Sequence, residues 1–359
     1  MKNIFKILAV VLLVTMVSTE SVWAGNDKRR GTAGASELLI NPWAGSSGWG
    51  GVNIANTRGI ESFFTNIAGL TYVNKTEIAY SNSIWMGGKS GLSSGATINA
   101  FGIAQRISDQ GVLGLYVMAM GFGDIDVTTV NSPEPGFNGT FSPSFMNINV
   151  AYAHAFSQSI RGGANIKIIN ETTDNITASG FAIDAGIQYV TGANDELKFG
   201  ISLKNIGSTM SFNGPGLSIT MVNGAGNNFT VETRDSKMEL PTCLNMGFSY
   251  DFLFEKWNQR LTLAGSFTSN AFLKDNFILG LEYSLLDVVQ LRAGYVFQRG
   301  IFSDYDVART TTNVGLCAGA SFDIPLSKKD DTKFIRVDYS YRAAHPTKGT
   351  HTIGGSINF

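Results

Sequence analysis

Apolar and polar residues alternate one by one along most of the chain after about residue 75. In one clear run, Phe181, Ile183, Ala185, Ile187 and Tyr189 are separated by small or polar residues. Because side chains of a β-strand point alternately to two faces, this pattern predicts strands with one apolar face. About 14 such segments can be counted. They span residues 75–87, 94–105, 111–121, 143–157, 159–170, 176–191, 196–206, 241–254, 259–268, 275–286, 288–298, 311–323, 333–342 and 349–358.

The polar faces of these segments carry mainly Gly, Ala, Ser and Asn. A soluble sandwich turns its polar faces to bulk water and carries more Lys and Glu there, whereas small residues suit an enclosed lumen. The pattern therefore predicts an all-β fold, a transmembrane antiparallel β-barrel of about 14 strands over residues 75–359. Short connections alternate with long ones at 122–142, 207–240 and 298–310, which predicts short periplasmic turns and long outer loops.

Both ends of the chain agree with export to a bacterial outer membrane. Residues 1–6 include two lysines, residues 7–17 are apolar except for Thr15, and Val22-Trp23-Ala24 follows. This is the composition of a Sec-type signal peptide, residues 1–24, with cleavage near Ala24. The final segment ends on Phe359, an outward aromatic residue typical of barrels surrounded by outer-membrane lipid.

Composition argues against several kinds of function. The formal net charge of −1 leaves no basic surface for nucleic acid. The three histidines, His154, His345 and His351, lack metal-ligand spacing, and no G-x-S-x-G sequence occurs. We therefore predict a protein that is not an enzyme and uses no metal or cofactor. Cys243 and Cys317 are both predicted to point inward on separated strands, so two unpaired cysteines are favoured over a disulfide.

Residues 25–74 precede the first strand and do not alternate. They contain Gly31-Thr32-Ala33-Gly34-Ala35-Ser36-Glu37-Leu38, then Gly48-Trp49-Gly50-Gly51, then Asn66-Ile67-Ala68-Gly69-Leu70. This segment resembles the opening of the PorV/PorQ family, a branch of the FadL-like outer-membrane barrels. Members commonly show G-T-x-G-A-x-x-L, a G-M-G-G-like turn and N-P-A-G-L. Here Trp49 replaces the usual Met and Ile67 the usual Pro, and the rest of the chain matches only in architecture.

The resemblance implies that residues 25–74 form a hatch inside the lumen, with Trp49, Asn66, Gly69 and Leu70 among its residues. It also implies two alternative roles. PorV-type proteins dock secreted proteins through their C-terminal signal domains and shuttle them from a type IX translocon to a cell-surface attachment complex. FadL-type proteins pass hydrophobic small molecules toward a lateral opening in the wall. We predict the first role, with a FadL-type channel for uptake of hydrophobic small molecules as the alternative.

Charged residues at inward-facing positions favour the docking role. A path for hydrophobic compounds requires a continuous apolar lining, whereas lumen charges must pair or be hydrated. For any single charge, a purely structural role is favoured, in which the charges satisfy one another and the hatch. A lateral opening requires a kink or gap in an early strand, and the weakly alternating segments 94–105 and 111–121 are candidates, although ordinary irregularity explains them too. The charged residues are Arg161, Lys167, Asp184, Lys198, Lys204, Asp251, Glu282, Arg292, Arg336, Asp338 and Arg342.

Apolar residues in the long loops are the candidate contacts with a partner. Exposed apolar residues in long loops often mark binding sites. The alternative is that the loops fold over the barrel mouth and bury these residues. Candidate partners are secretion-system proteins and cargo C-terminal domains, or a hydrophobic small molecule. The predicted contacts are Val127, Val130, Phe137, Met210, Phe212, Leu217, Ile219, Met221 and Phe229.

Overall fold

The computed structural model describes Arg29 and residues 31–85, 87, 96–302, 313–326, 333–344 and 347–359. Within these residues, 14 antiparallel strands form one barrel. None of the helices in this part of the chain has the length and hydropathy of a membrane-spanning helix. The strands are β1 Thr76–Trp85, β2 Ala96–Arg106, β3 Gly111–Gly121, β4 Ser144–Ala155, β5 Ile160–Thr173, β6 Ile176–Thr191, β7 Leu197–Gly207, β8 Cys243–Phe254, β9 Gln259–Asn270, β10 Asn276–Leu285, β11 Val289–Gln298, β12 Gly315–Pro325, β13 Phe334–Arg342 and β14 Thr350–Asn358.

Each strand pairs with the next along the chain, and β14 pairs with β1 from Glu77–Asn358 to Ile84–His351. The sheet is therefore closed, and the predicted all-β barrel of about 14 strands is confirmed. The observed strands correspond one to one with the predicted segments. β8 begins at Cys243, two residues later than predicted, because Pro241 has no amide hydrogen to donate to a ladder.

The two ends of the barrel differ in their connections. At one end, the turns at 107–110, 156–159 and 286–288 are short, and the Phe359 amide donates a hydrogen bond to the Thr76 carbonyl (2.9 Å). We call this the short-turn end. The opposite, long-loop end carries the connections 122–143 and 208–242, each with a small hairpin of its own. These hairpins pair Ile125–Asp126 with Thr140–Phe141, and Ser218–Val222 with Asn228–Glu232.

The barrel wall is continuous at β2 and β3, the two strands whose weak alternation had suggested a lateral opening. β2 pairs with β3 without interruption from Thr97–Gly121 to Arg106–Val112, and β3 pairs equally with β4. Their alternation is weak because Ala and Gly, rather than polar residues, occupy much of the inner face. The register shift lies instead between β6 and β7, where Asn205 has φ of 60° and forms a bulge. There the Asn205 amide donates to the Asp184 carboxylate (2.8 Å).

The hatch runs through the lumen from one end of the barrel to the other. Its elements are a 3₁₀ turn Ser36–Leu39, the one-turn helix α1 Ala44–Ser47, and 3₁₀ turns Gly59–Phe63 and Ile67–Tyr72. It begins at the long-loop end, where the Gly34 amide donates to the Glu239 carbonyl (3.0 Å). Its apolar side chains pack in two buried clusters against the inner wall. The predicted signal peptide, residues 1–24, lies outside the described residues.

Candidate functional site

Asn66 joins the hatch to two strands of the wall. Its side-chain amide donates to the carbonyls of Ile54 (2.9 Å) and of Ile187 on β6 (3.0 Å), and it approaches the carbonyl of Ile201 on β7 (3.4 Å). The amide oxygen accepts the Ala68 N–H and begins the last 3₁₀ turn. Because the residue is almost fully buried, these bonds are not shared with water, and Asn66 fixes the hatch against the β6–β7 wall.

Glycines on the inner wall let the backbone of the hatch touch the barrel. A Cβ atom placed on Gly200 would lie 2.3 Å from the Ile54 carbonyl oxygen, and one on Gly294 would lie 2.4 Å from that of Trp49. Both distances are far below normal contact, so no side chain fits at either position. An added Cβ atom would also lie less than 3.2 Å from the hatch at other inward-facing glycines, namely Gly102, Gly114, Gly163, Gly186, Gly247, Gly280 and Gly319.

At the short-turn end, Arg106 of β2 holds the last turn of the hatch. Its guanidinium donates to the backbone carbonyls of Thr71 (2.7 Å), Val73 (2.7 and 2.9 Å) and Asn74 (2.8 Å). Arg161 of β5 lies over the ring of Tyr72, with its guanidinium carbon 4.3 Å from the ring centroid. The hatch is therefore fastened to the wall where it joins β1.

One side of the lumen is a continuous network of paired charges, which we call the polar wall. Arg336 donates two 2.6 Å bonds to Asp323, while Arg292 donates to Glu282 at 2.6 Å and Arg260 donates to Glu282 at 3.0 Å. Ser321 donates to Asp338 and accepts from Arg292, so bonds run from Arg260 on β9 to Asp338 on β13, with the Arg336–Asp323 pair beside them on β12 and β13. These opposite charges stabilise one another in the lumen and hold the wall in register.

Two further ion pairs extend this pattern to β5 through β8. The Lys167 ammonium lies 2.6 Å from the Asp184 carboxylate and donates to the Asn205 side chain at the bulge (2.7 Å). Lys198 pairs with Asp251, which also accepts from Thr262 (2.7 Å). Of the other predicted lumen charges, Lys204 lies over the Phe64 ring at 3.8 Å, and Arg342 donates to the Asn313 carbonyl at 2.9 Å.

The opposite side of the lumen is apolar over the height of the barrel, and we call it the apolar wall. It consists of inward-facing residues of β2 and β3, all almost completely buried. Hatch residues Trp43 and Phe63 pack on it, each with its ring centroid about 5.5 Å from that of Tyr116. Ionisable side chains border it, namely Arg106 at the end of β2 and the buried Glu77, which lies opposite Ala104 on β1. The residues of the apolar wall are Ile98, Ala100, Ala104, Val112, Tyr116, Met118 and Met120.

A small polar cavity separates the hatch from the polar wall. Its volume is about 20 Å³, enough for roughly one water molecule. The carboxyl groups of Glu61, Glu77 and Asp338 and the guanidinium of Arg336 line it. Burial raises the pKa of Glu61 to about 7, and the Asp338 charge adds to this rise, whereas Arg292 and Arg336 oppose it. Glu61 is therefore a hatch carboxyl that changes charge near neutral pH.

The predicted loop contacts divide into exposed and buried groups. Val130 and Phe137 are exposed, and Val127 is half-buried. In the second loop, Ile219, Met221 and Phe229 are exposed on the Ser218–Glu232 hairpin, and Leu217 is half-buried. Met210 is only 1% exposed, and Phe212 packs against the same core, so these two residues do not form an outer contact surface. Met210 and the half-buried Phe212 cover the end of the lumen because this part of the loop folds inward, which was the alternative for the loops.

The structure brings together several residues that were not among the predicted site residues. Arg260 and Asp323 complete the polar wall, and their inward direction follows from the alternation of β9 and β12. Strand alternation was therefore a sufficient signal for both. Glu61 carries no such signal, because it lies on an irregular hatch segment. Trp49, Gly69 and Leu70 all lie in the packed hatch, and Cys243 and Cys317 are both free and buried.

Comparisons with known proteins identify the fold. No protein-family model matches the chain, and no curated protein matches its sequence. Among solved structures, the toluene transporter TodX of Pseudomonas putida has a TM-score of 0.59 at 12% identity, covering 89% of this chain and 99% of that chain. The CymD monoaromatic hydrocarbon channel has a TM-score of 0.58 at 14% identity, with 89% and 98% covered. A FadL homologue of Pseudomonas aeruginosa has a TM-score of 0.54 at 10% identity, with 88% and 98% covered. The chain therefore has the fold of the FadL-like outer-membrane barrels.

Proposed function

We propose that this protein is a non-enzymatic outer-membrane channel for hydrophobic small molecules. The observation that carries the proposal is the apolar wall, which lines β2 and β3 from one end of the barrel to the other. Such a lining is what a hydrophobic compound requires in order to leave water. The similar folds of a toluene transporter and a monoaromatic hydrocarbon channel support this reading. The alternative predicted from the sequence is thus preferred over the PorV-type role.

The proposed path follows the boundary between the hatch and the apolar wall. Trp43, Ile60, Phe63 and Leu70 of the hatch fill this boundary. A ligand therefore enters only when these side chains give way, while the polar wall opposite keeps its ion pairs. Met118 and Met120 suit such a boundary because unbranched methionine side chains adapt to ligands of different shape. We place the long-loop end outside the cell and the short-turn end in the periplasm.

The test is uptake of a labelled monoaromatic hydrocarbon by cells that carry the protein or a variant. Met118→Ser makes the apolar wall polar, and we expect it to slow uptake. Met246→Ser is the matched control, because Met246 is 41% exposed on the outer face of β8. Folded barrel must be recovered from both strains in equal amount. Equal uptake by Met118→Ser and wild type, or no uptake by wild type above cells without the protein, contradicts the proposal.

A second candidate function is docking of secreted proteins, as in PorV-type members. The specific observation in its favour is the exposed hairpin of the 208–242 loop. Ile219 pairs with Val231 and Met221 with Phe229, so these four apolar side chains share one face, each 39–53% exposed. An apolar face of this kind on a long outer loop suits a protein partner. The candidate is tested by deletion of this hairpin, described in the Discussion.

A further inference from the structure

The first part of the hatch crosses the mouth of the barrel at the long-loop end. We define the strap as Arg29 together with residues 31–40. The Arg29 guanidinium pairs with Glu239 at 2.6 Å and lies 4.2 Å from the ring centroid of Phe272. Glu239 belongs to the connection 208–242, and Phe272 to the connection between β9 and β10. Both connections are at the long-loop end, opposite to Thr76 and Phe359.

Backbone contacts continue the attachment along the strap. Ala33 forms a parallel β-bridge with Glu239, and the side chain of Met238 covers Gly34. A little further on, Ala35 and Leu38 are buried with Met210 and Leu240 in the same apolar cluster as Met118 and Met120. The strap therefore lies between the solvent at the mouth and the upper end of the apolar wall. Thr32 remains exposed at this end of the molecule.

From these contacts we infer that the strap is an entrance gate on the extracellular side, closed by its attachment to residues 238–240. A hydrophobic ligand that approaches from outside meets the strap before it meets the apolar wall. Entry requires that the strap separates from Met238 and Glu239, while Arg106 keeps the other end of the hatch attached at the short-turn end. This inference rests on the proposed channel function for its gating role, but the extracellular position of the strap is independent of that function.

The position of the strap is tested by cysteine labelling in intact cells with a membrane-impermeant maleimide. The native thiols of Cys243 and Cys317 are buried and give little background. We expect Thr32→Cys to react in intact cells, as does Val130→Cys, whose position is 99% exposed in the first long loop. Asn194→Cys, in an exposed turn at the opposite end, reacts only after the outer membrane is permeabilised. Reaction of Thr32→Cys only after permeabilisation overturns the inference.

The gate itself is tested with a reversible disulfide. A Cβ atom on Gly34 would lie 3.0 Å from the Met238 Cβ, close to the separation of about 3.8 Å in a disulfide, so Gly34→Cys with Met238→Cys forms a staple after a small shift. Oxidation by diamide should reduce uptake to the level of cells without the protein, and dithiothreitol should restore it. Each single cysteine variant is the control and should respond to neither reagent.

Failure of the proposed gate and failure of the proposed channel function give different results. If the stapled protein and wild type take up the hydrocarbon equally, the gate is wrong and the channel function stands. If wild type takes up nothing, the channel function is wrong together with the gate, while the labelling experiment still decides where the strap lies.

Discussion

At the scale of single residues, the hatch is fixed by positions that lack a side chain as much as by those that have one. Asn66 supplies the bonds to β6 and β7, and Gly69 allows close approach to the Thr57 carbonyl, from which an added Cβ would be 2.4 Å away. Both residues belong to the sequence Asn66-Ile67-Ala68-Gly69-Leu70 that was predicted to mark the hatch. Their partners on the wall were not predictable, because the pairing of an irregular segment with strands leaves no local pattern.

Gly294 offers the sharpest test of this close approach. We expect Gly294→Ala to loosen the hatch by about 1–3 kcal/mol, since the new methyl group overlaps the Trp49 carbonyl and the backbone must move. The loosening would appear as faster amide hydrogen exchange in residues 48–54, with unchanged exchange in the barrel strands.

Gly224→Ala is the matched control, because no atom lies within 4 Å of the added methyl group. If both variants exchange like wild type, the packing argument for the wall glycines is wrong.

Glu61 gives a prediction that depends on pH. Its pKa in the folded protein is about 7, above the value of 4.5 for a free side chain. A raised pKa contributes stability below pH 4.5 that is lost as the pH rises through 7. We expect hydrogen exchange of residues 59–63 to speed up, relative to its intrinsic rate, as the pH rises from 4.5 to about 7. Glu61→Gln should flatten this dependence.

Glu134→Gln, in an exposed part of the first long loop, is the corresponding control and should behave like wild type. If Glu61→Gln keeps the wild-type pH profile, a group other than Glu61 causes the pH dependence of exchange.

At the scale of elements, strands were predictable and the hatch elements were not. The strand segments carry a two-residue alternation over nine or more residues, and the apolar outer face is the signal. The hatch consists of short helical turns of four to six residues. Their apolar side chains follow no period, because one turn contacts several strands of the wall. The bulge at Asn205 moves the outward apolar positions by one residue, from Leu203 to Ile206. The shift was hidden because β7 ends directly after Ile206, so no second apolar position follows to reveal it.

The hairpin of the 208–242 loop separates the two candidate functions. Deletion of residues 214–227 removes its first strand and leaves Met210 in contact with Met238. If the protein docks a partner, we expect the barrel to fold and the partner to be lost from gentle detergent extracts. If the protein is a channel alone, uptake and the set of co-purified proteins should both stay unchanged. That result would contradict the docking role.

At the scale of the whole molecule, the lumen has two unlike sides. Eleven charged residues were predicted to point inward, and that expectation favoured a docking protein with a polar lumen. Strand order then places those charges on β5 to β13, whereas β2 and β3 are apolar inside. A count of charges in the sequence could not reveal this division, because it depends on which strands are neighbours around the barrel. The apolar side, on β2 and β3, is the side along which we propose that a ligand passes.

The passage of the hatch through the full length of the barrel also constrains how the protein is assembled. Residues 31–74 are synthesised before any strand, yet they finish inside a closed wall whose last pairing joins β1 to β14. Drawing this segment through a finished barrel would break and remake its contacts with nearly every strand. Closure of the β1–β14 pairing around a hatch already in place avoids that step. The first part of the chain to be made would then act as the template on which the barrel completes its circumference.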